Sequence, residues 1–277
     1  MKSQAIAGVT QDEIDARNSR FWNELCGTQL AQSLGITTQD AEAIDRFDRA
    51  YLDMYPYLLD CVPTADFSGK KVLEIGLGYG TLSQQIVLHA TQYRGLDIAQ
   101  GPVEMSNVRM ERLGLPAERF RAVQASMLEC PFDNEEFDVV VSIGCFHHTG
   151  DLQRCIDETW RVLKPGGRAF IMVYNKFSYR NWMRWPVTSL RAAFQGATAG
   201  RSRAERASYD ANTQGLAAPE TVFSSVADLQ RMFSQYASFL ANKRNCGVPA
   251  SFATIRRVAL PLVGPLVGLD IYVTAMK

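Results

Sequence analysis

From Val72 onward, short apolar runs alternate with stretches whose apolar residues recur at helical spacing, which predicts a parallel α/β sheet. The strand candidates are "KVLEIG", "QYRGLDI", "RFRAVQA", "FDVVVSIG", "GRAFIMVY" and the terminal "LDIYVTAM". Between the fourth and fifth, "DLQRCIDETWRVLKPGG" sets Leu152, Cys155, Ile156, Thr159, Trp160 and Leu163 on one helical face. Asp151 can cap the start of that helix, and Pro165 with the two glycines after it ends it. Residues 1 to 68 carry helical patterns rich in aromatics: Phe21, Trp22, Phe47, Tyr51, Tyr55 and Tyr57. Nearly a hundred residues separate the fifth strand from the last, far more than one helical crossover needs. The excess is placed as an insertion at about 176–225, where Trp182, Trp185 and Phe194 mix with Arg180, Arg184, Arg191, Arg201, Arg203 and Arg206. Those arginines read either as a solvated face or as a site for a carboxylate, a phosphate or a lipid headgroup.

The longest apolar run, "VALPLVGPLVGLDIYVTAM", is broken by Pro261, Pro265, glycines and Asp270, so it reads as a helix followed by a buried strand and not as a membrane span. The N-terminal stretch turns polar before it could supply an apolar signal core, and a cytoplasmic protein is expected. At 277 residues the chain can bury a full core, and 29 basic residues balance 29 acidic ones. A nucleic-acid partner is therefore not expected. The cysteines, Cys26, Cys61, Cys130, Cys145, Cys155 and Cys246, form no C-x-x-C pair, which argues for reduced thiols and against a structural metal site.

Chemistry enters with "VLEIGLGYG", a strand that ends in Gly76, Gly78 and Gly80 and feeds a helix. Such a turn brings backbone N–H groups and the positive end of a helix dipole to the carboxyl edge of the sheet, where nucleotide-like ligands bind. The spacing is G-x-G-x-G and not the G-x-G-x-x-G of dinucleotide folds, and Glu74 precedes it. A carboxylate there repels a pyrophosphate and suits a cationic amino group. Asp97, at the end of the next strand, can accept both hydroxyls of a ribose. Together Glu74 and Asp97 fit a ligand with a ribose, a positive charge and no phosphate.

At these residues the chain resembles the class I S-adenosylmethionine-dependent methyltransferases of the small-molecule type, the group that includes the ubiquinone and menaquinone methyltransferases. "VLEIGLGYG" is similar to their glycine motif, "GLDIA" to their ribose motif, "FDVVVSIGCFHHTGD" to their fourth-strand motif and "RVLKPGGRAFI" to the passage that follows. The resemblance spans about residues 70–176. It implies a Rossmann-like, doubly wound, seven-stranded and mostly parallel sheet with helices on both faces and the last strand antiparallel. It also implies S-adenosyl-L-methionine as cofactor and an in-line methyl transfer that needs no metal. One departure is Ser126, which stands where members usually carry an Asp that receives the adenine amino group.

On this reading residues 1–68 form a helical lid and 69–277 the cofactor-binding domain. Gly76, Gly78 and Gly80 make the turn, Glu74 orients the amino-acid end, Asp97 with Ile98 holds the ribose, and Ser126 with Met127 borders the adenine. Gly144 belongs to the same edge, and Tyr51 and Tyr55, one turn apart, are candidates to face the sulfonium or to be plain core. His147 is the candidate base and His148 a weaker one, each with a packing role as its alternative. Tyr174, ending the fifth strand, faces the acceptor, while Lys176 reads as a solvated residue. The acceptor is a small organic molecule, methylated at oxygen before nitrogen or carbon, and a homodimer is open. Two rivals are an NAD(P)-dependent oxidoreductase and a non-catalytic accessory protein that binds the cofactor.

Overall fold

A computed structural model describes residues 9–24, 29–36, 40–193, 202–212, 214–246 and 253–277; Cys26, Phe194 and Arg201 lie outside them. The first helices are α1 (Gln11–Trp22), α2 (Gln29–Ser33), α3 (Ala41–Met54) and α4 (Leu58–Cys61). The alternating region then runs β1 (Lys71–Ile75), α5 (Thr81–Val87), β2 (Gln92–Asp97), α6 (Gln100–Arg112), β3 (Phe120–Gln124), β4 (Phe137–Ile143), α7 (Leu152–Val162) and β5 (Leu163–Tyr174). Beyond it come α8 (Tyr179–Arg184), α9 (Pro186–Ala193), α10 (Arg203–Ala207), α11 (Val226–Met232), β6 (Ser238–Arg244), α12 (Ala253–Val267) and β7 (Asp270–Met276).

The sheet order is β3-β2-β1-β4-β5-β7-β6. The first five strands pair in parallel, and β7 runs antiparallel to both β5 and β6, between which it lies. Neighbouring residues on a strand point to opposite faces, so each face has its own core. Leu73 and Val140 pack on one side with Leu152, Ile156, Leu229 and Phe233 from α7 and α11. Val72, Val139 and Val141 pack on the other with Leu58, Leu82 and Ile86 from α4 and α5. The order turns back between β1 and β4, and the carboxyl ends of those strands are where an open sheet of this kind leaves a crevice.

The residue pattern named six of the seven strands and passed over β6, whose "SFLANKR" carries no fully buried position. The helix before β5 ends at Val162, so Leu163, expected on its face, starts the strand instead. The apolar C-terminal run is a helix and then a strand, as expected, and no helix of the described residues is long and apolar enough to cross a membrane.

Candidate active site

At the end of β1 the chain makes its turn with positive φ at Gly76 (81°), Gly78 (51°) and Gly80 (75°). Two of these glycines do different work. A side chain at Gly76 would put its Cβ 2.4 Å from the Cβ of Cys145, so this glycine lets the β1 and β4 ends close together. At Gly78 nothing lies within 4 Å of where a Cβ would stand, so the turn presents bare backbone to open space. Gly80 caps α5 and does not face that space.

The space is a cavity of about 570 Å³. Its walls include Gly76, Gly78, Asp97, Ile98, Ser126, Met127 and Gly144 at the sheet edge and Tyr51, Tyr55 and Tyr174 among the aromatics, all of them residues the sequence had singled out. Asp97 is fixed by its backbone: Leu77 N–H donates to Oδ2 at 2.8 Å and Ala99 N–H to Oδ1 at 2.9 Å. Burial pushes its carboxyl up to about 6, against the pull of those amides and of the Gly78 and Ile98 amides. Ser126 Oγ accepts the Leu128 N–H at 3.3 Å, which leaves its own proton to donate into the cavity.

Glu74 departs from expectation. It is buried and absent from the cavity wall, and its Oε2 accepts the Tyr93 hydroxyl at 2.6 Å. The cause is local: Glu74 pairs in register with Gly95, and a Cβ on Gly95 would sit 2.9 Å from the Tyr93 hydroxyl oxygen. Burial pushes the Glu74 carboxyl up to about 7, although hydrogen bonds from Ser83 and Tyr93 hold it down. It ties β1 to β2 and α5.

The N-terminal helices form the opposite wall. On α3, Phe47 stacks on Tyr79 of the glycine turn with ring centres 3.9 Å apart, and Tyr51 follows on Phe47 at 5.9 Å. Tyr55 lies just past the helix, as its C-cap. The helix is tied down by Asp48, which accepts the Thr81 hydroxyl at 2.5 Å and a two-pronged pair of bonds from Arg109 at 2.8 and 2.9 Å. On α1, Asn18 Nδ2 donates to the His148 carbonyl at 2.7 Å and the Trp22 ring lies 4.8 Å from the His148 ring.

The two histidines exchange places relative to expectation. His147 has no exposed surface, is absent from the cavity wall, and lies between the rings of His148 (4.2 Å) and Tyr174 (4.1 Å). Burial, then the neighbouring His148, holds its pKa well below 6.5, so it is a neutral wedge. His148 faces the cavity. Its Nδ1 lies 2.6 Å from the Glu220 carbonyl, which only accepts, so Nδ1 donates. That Nε2 stands 3.4 Å from Oδ2 of Asp210, which also accepts the Tyr174 hydroxyl at 2.9 Å. Burial, then Asp210, pushes the Tyr174 phenol well up, so it stays protonated and donates.

Asp210 is a site residue that sequence reasoning missed, and no spacing or motif in "SYDANT" marks it. Lys176 is also placed differently. It is buried, 3.6 Å from the buried Asp228, and outside the cavity wall. His147, His148 and Asp210 are the one group among the described residues whose ligand atoms lie close enough, within 4.8 Å of one another, to hold a metal ion. Two imidazoles on one ion, bound at about 2.1 Å, set their ring centres about 5 Å apart. Rings only 4.2 Å apart, with planes tilted by 49°, pack against each other and are too close to share an ion in that way.

The methyltransferase domain family matches residues 73–171, the stretch that holds the glycine turn, Asp97 and both histidines. Over this stretch the chain is similar to methyltransferase domains. Over 128 residues it is 34% identical to the phthiotriol/phenolphthiotriol dimycocerosates methyltransferase of Mycobacterium leprae, covering 46% of this chain and 44% of that one. Over 114 residues it is 32% identical to the ubiquinone biosynthesis O-methyltransferase of Pseudomonas putida, covering 40% and 47%. The chain thus spans about half the length of the curated relatives it matches. Similar folds are an S-adenosylmethionine-dependent methyltransferase from Thermotoga maritima (TM-score 0.54, 15% identity, 84% of this chain and 95% of that one) and one from Mesorhizobium loti (0.53, 14%, 81% and 98%). S-adenosylmethionine is the group named for these structural neighbours. The turn and Asp97 fit that group: Gly78 leaves room for close approach, and Asp97 offers a buried carboxylate held against the turn by the Leu77 amide.

Proposed function

We propose that this methyltransferase domain methylates a small organic acceptor bound at the Tyr174 end of the cavity, at oxygen first and at nitrogen or carbon next. The observation that carries this is continuity: one cavity joins the Gly78–Asp97 cradle to the His148, Asp210 and Tyr174 group. When bound, S-adenosylmethionine supplies an activated methyl group to a nucleophile approaching in line. Asp97 receives the ribose hydroxyls, while Ser126 and Met127 border the base. Tyr51 and Tyr55 close the cavity from the lid formed by α1 to α3, keeping water from the sulfonium.

The acceptor's proton goes to His148 Nε2, and Asp210, 3.4 Å away, stabilises the imidazolium that results. The base is therefore His148, with His147 packing behind it. Among the described residues the wall includes Asp15, Glu24, Asp97 and Asp210 and no lysine or arginine, which favours a neutral or cationic acceptor over a carboxylate or phosphate. Among the described residues, none of the insertion's arginines is part of the cavity wall. The name of the Pseudomonas putida relative, an O-methyltransferase of ubiquinone biosynthesis, supports oxygen as the nucleophile. A cytoplasmic location fits the free thiols of Cys61, Cys130, Cys145, Cys155 and Cys246.

The test is turnover of labelled S-adenosylmethionine against a panel of substituted phenols and catechols. His148→Ala is expected to lower kcat by about 10²- to 10⁴-fold while leaving the Kd for S-adenosylhomocysteine within about twofold. His147→Ala should change stability more than turnover. A His148→Ala protein that turns over like the parent chain would remove the base from this scheme.

A further inference from the structure

The segment from Lys176 to Ala204 contains no aspartate or glutamate, although the whole chain is balanced in charge. Within it, α8 and α9 are inverted in polarity. On α8, Asn181 is fully buried while Trp182 (39% exposed) and Met183 (77%) face out. On α9, Ser189 is fully buried while Val187 (63%) and Leu190 (56%) face out. A helix facing water does the opposite. Arg184 and Arg191 are exposed among these apolar side chains.

We infer that α8 and α9 form a docking face for an anionic lipid bilayer. The outward aliphatic and indole groups enter the boundary between headgroups and acyl chains, and the arginines meet the lipid phosphates. Nucleic acid fits less well, because beside Trp182 the outward side chains Met183, Val187 and Leu190 are aliphatic and offer a base no flat ring to stack on. The face also backs onto the cavity. The Arg180 guanidinium lies 4.8 Å from the centre of the Tyr209 ring and donates to the Ser208 carbonyl at 3.0 Å, and Tyr209 donates to Asn181 Oδ1 at 3.1 Å. Tyr209 and Asp210 are part of the cavity wall, so docking would bring the acceptor end of the cavity to the bilayer.

Binding to vesicles requires neither cofactor nor acceptor, so its failure is separable from failure of the methyl-transfer reading. The experiment is co-sedimentation of the full chain with phosphatidylcholine vesicles and with vesicles containing about one-third phosphatidylglycerol, at low and high salt. Binding to the second kind, at least about tenfold weaker on the first and weakened by salt, is expected. Arg184→Glu with Arg191→Glu should lower it about tenfold or more, and Met183→Ser should weaken it at both salt concentrations. S-adenosylhomocysteine binding serves as the folding control. Absence of binding to anionic vesicles, or equal binding to both kinds, overturns the inference. So does a dimer in light scattering that Met183→Ser dissociates while no vesicle is bound, since the face would then belong to a second copy of this chain.

Discussion

Asp97→Ala is expected to weaken binding of S-adenosylhomocysteine by roughly thirtyfold to a thousandfold, which corresponds to about 2–4 kcal/mol. Two effects combine. The substitution removes the carboxylate to which the proposed function gives the ribose hydroxyls, and it frees the amides of Leu77 and Ala99 that hold the glycine turn in shape. Asp97→Asn keeps the bulk and one acceptor oxygen, so it should lose less. The same carboxyl gives the interaction a pH dependence. With its pKa raised to about 6 in the free protein, it is ionised at neutral pH and takes up a proton as pH falls through 6. Ribose hydroxyls bind the ionised form, so affinity should fall on acidification below pH 6, by up to about tenfold per unit, and the slope should flatten in Asp97→Asn. Calorimetric titration from pH 7.5 to 5 checks both statements. An affinity unchanged across that range would place the ribose elsewhere.

The second large effect concerns the ion pair that ties down α3. Arg109 is almost fully buried, and Asp48 on α3 supplies its counter-charge, with Gln84 Oε1 accepting a further bond at 2.8 Å. Asp48→Ala leaves a buried cation without its carboxylate, which costs about 3–5 kcal/mol. For a chain of this size that corresponds to a fall in Tm of roughly 10 °C. Removing both charges together, as Asp48→Leu with Arg109→Met, should recover most of the loss, because the desolvation cost of the guanidinium disappears with it. Thermal unfolding of the three proteins separates a buried ion pair from a dispensable one. If Asp48→Ala melts within a degree or two of the parent, α3 is held by the Phe47–Tyr79 stack and not by this pair.

Much of this was legible before any coordinates. The alternation after Val72 and the position of the glycines locate the sheet edge, because β-strands buried on both faces leave continuous apolar runs and the turn after β1 needs positive φ. What escaped did so for identifiable reasons. β6 is a half-exposed edge strand with Ser, Asn, Lys and Arg in it, so it lacks the apolar run that marked the others. Glu74 was read as a ligand contact because spacing along a strand does not say which face a residue takes, and here Gly95 opened room for Tyr93 on the sheet side. Choosing between two adjacent histidines required the 3-10 turn at Phe146–His148, which sends His147 into the core and His148 to the cavity. Asp210 and the partner of Lys176 come from segments far away in sequence, and a local pattern carries no information on such pairings.

The measurement that bears most directly on the central claim is titration of the purified protein with S-adenosylhomocysteine in one cell and NADH in another. Micromolar binding of S-adenosylhomocysteine and no heat from NADH is the expected result. Tight binding of NADH, with none of S-adenosylhomocysteine, would mean that the glycine turn and Asp97 hold a dinucleotide and that no methyl transfer takes place here.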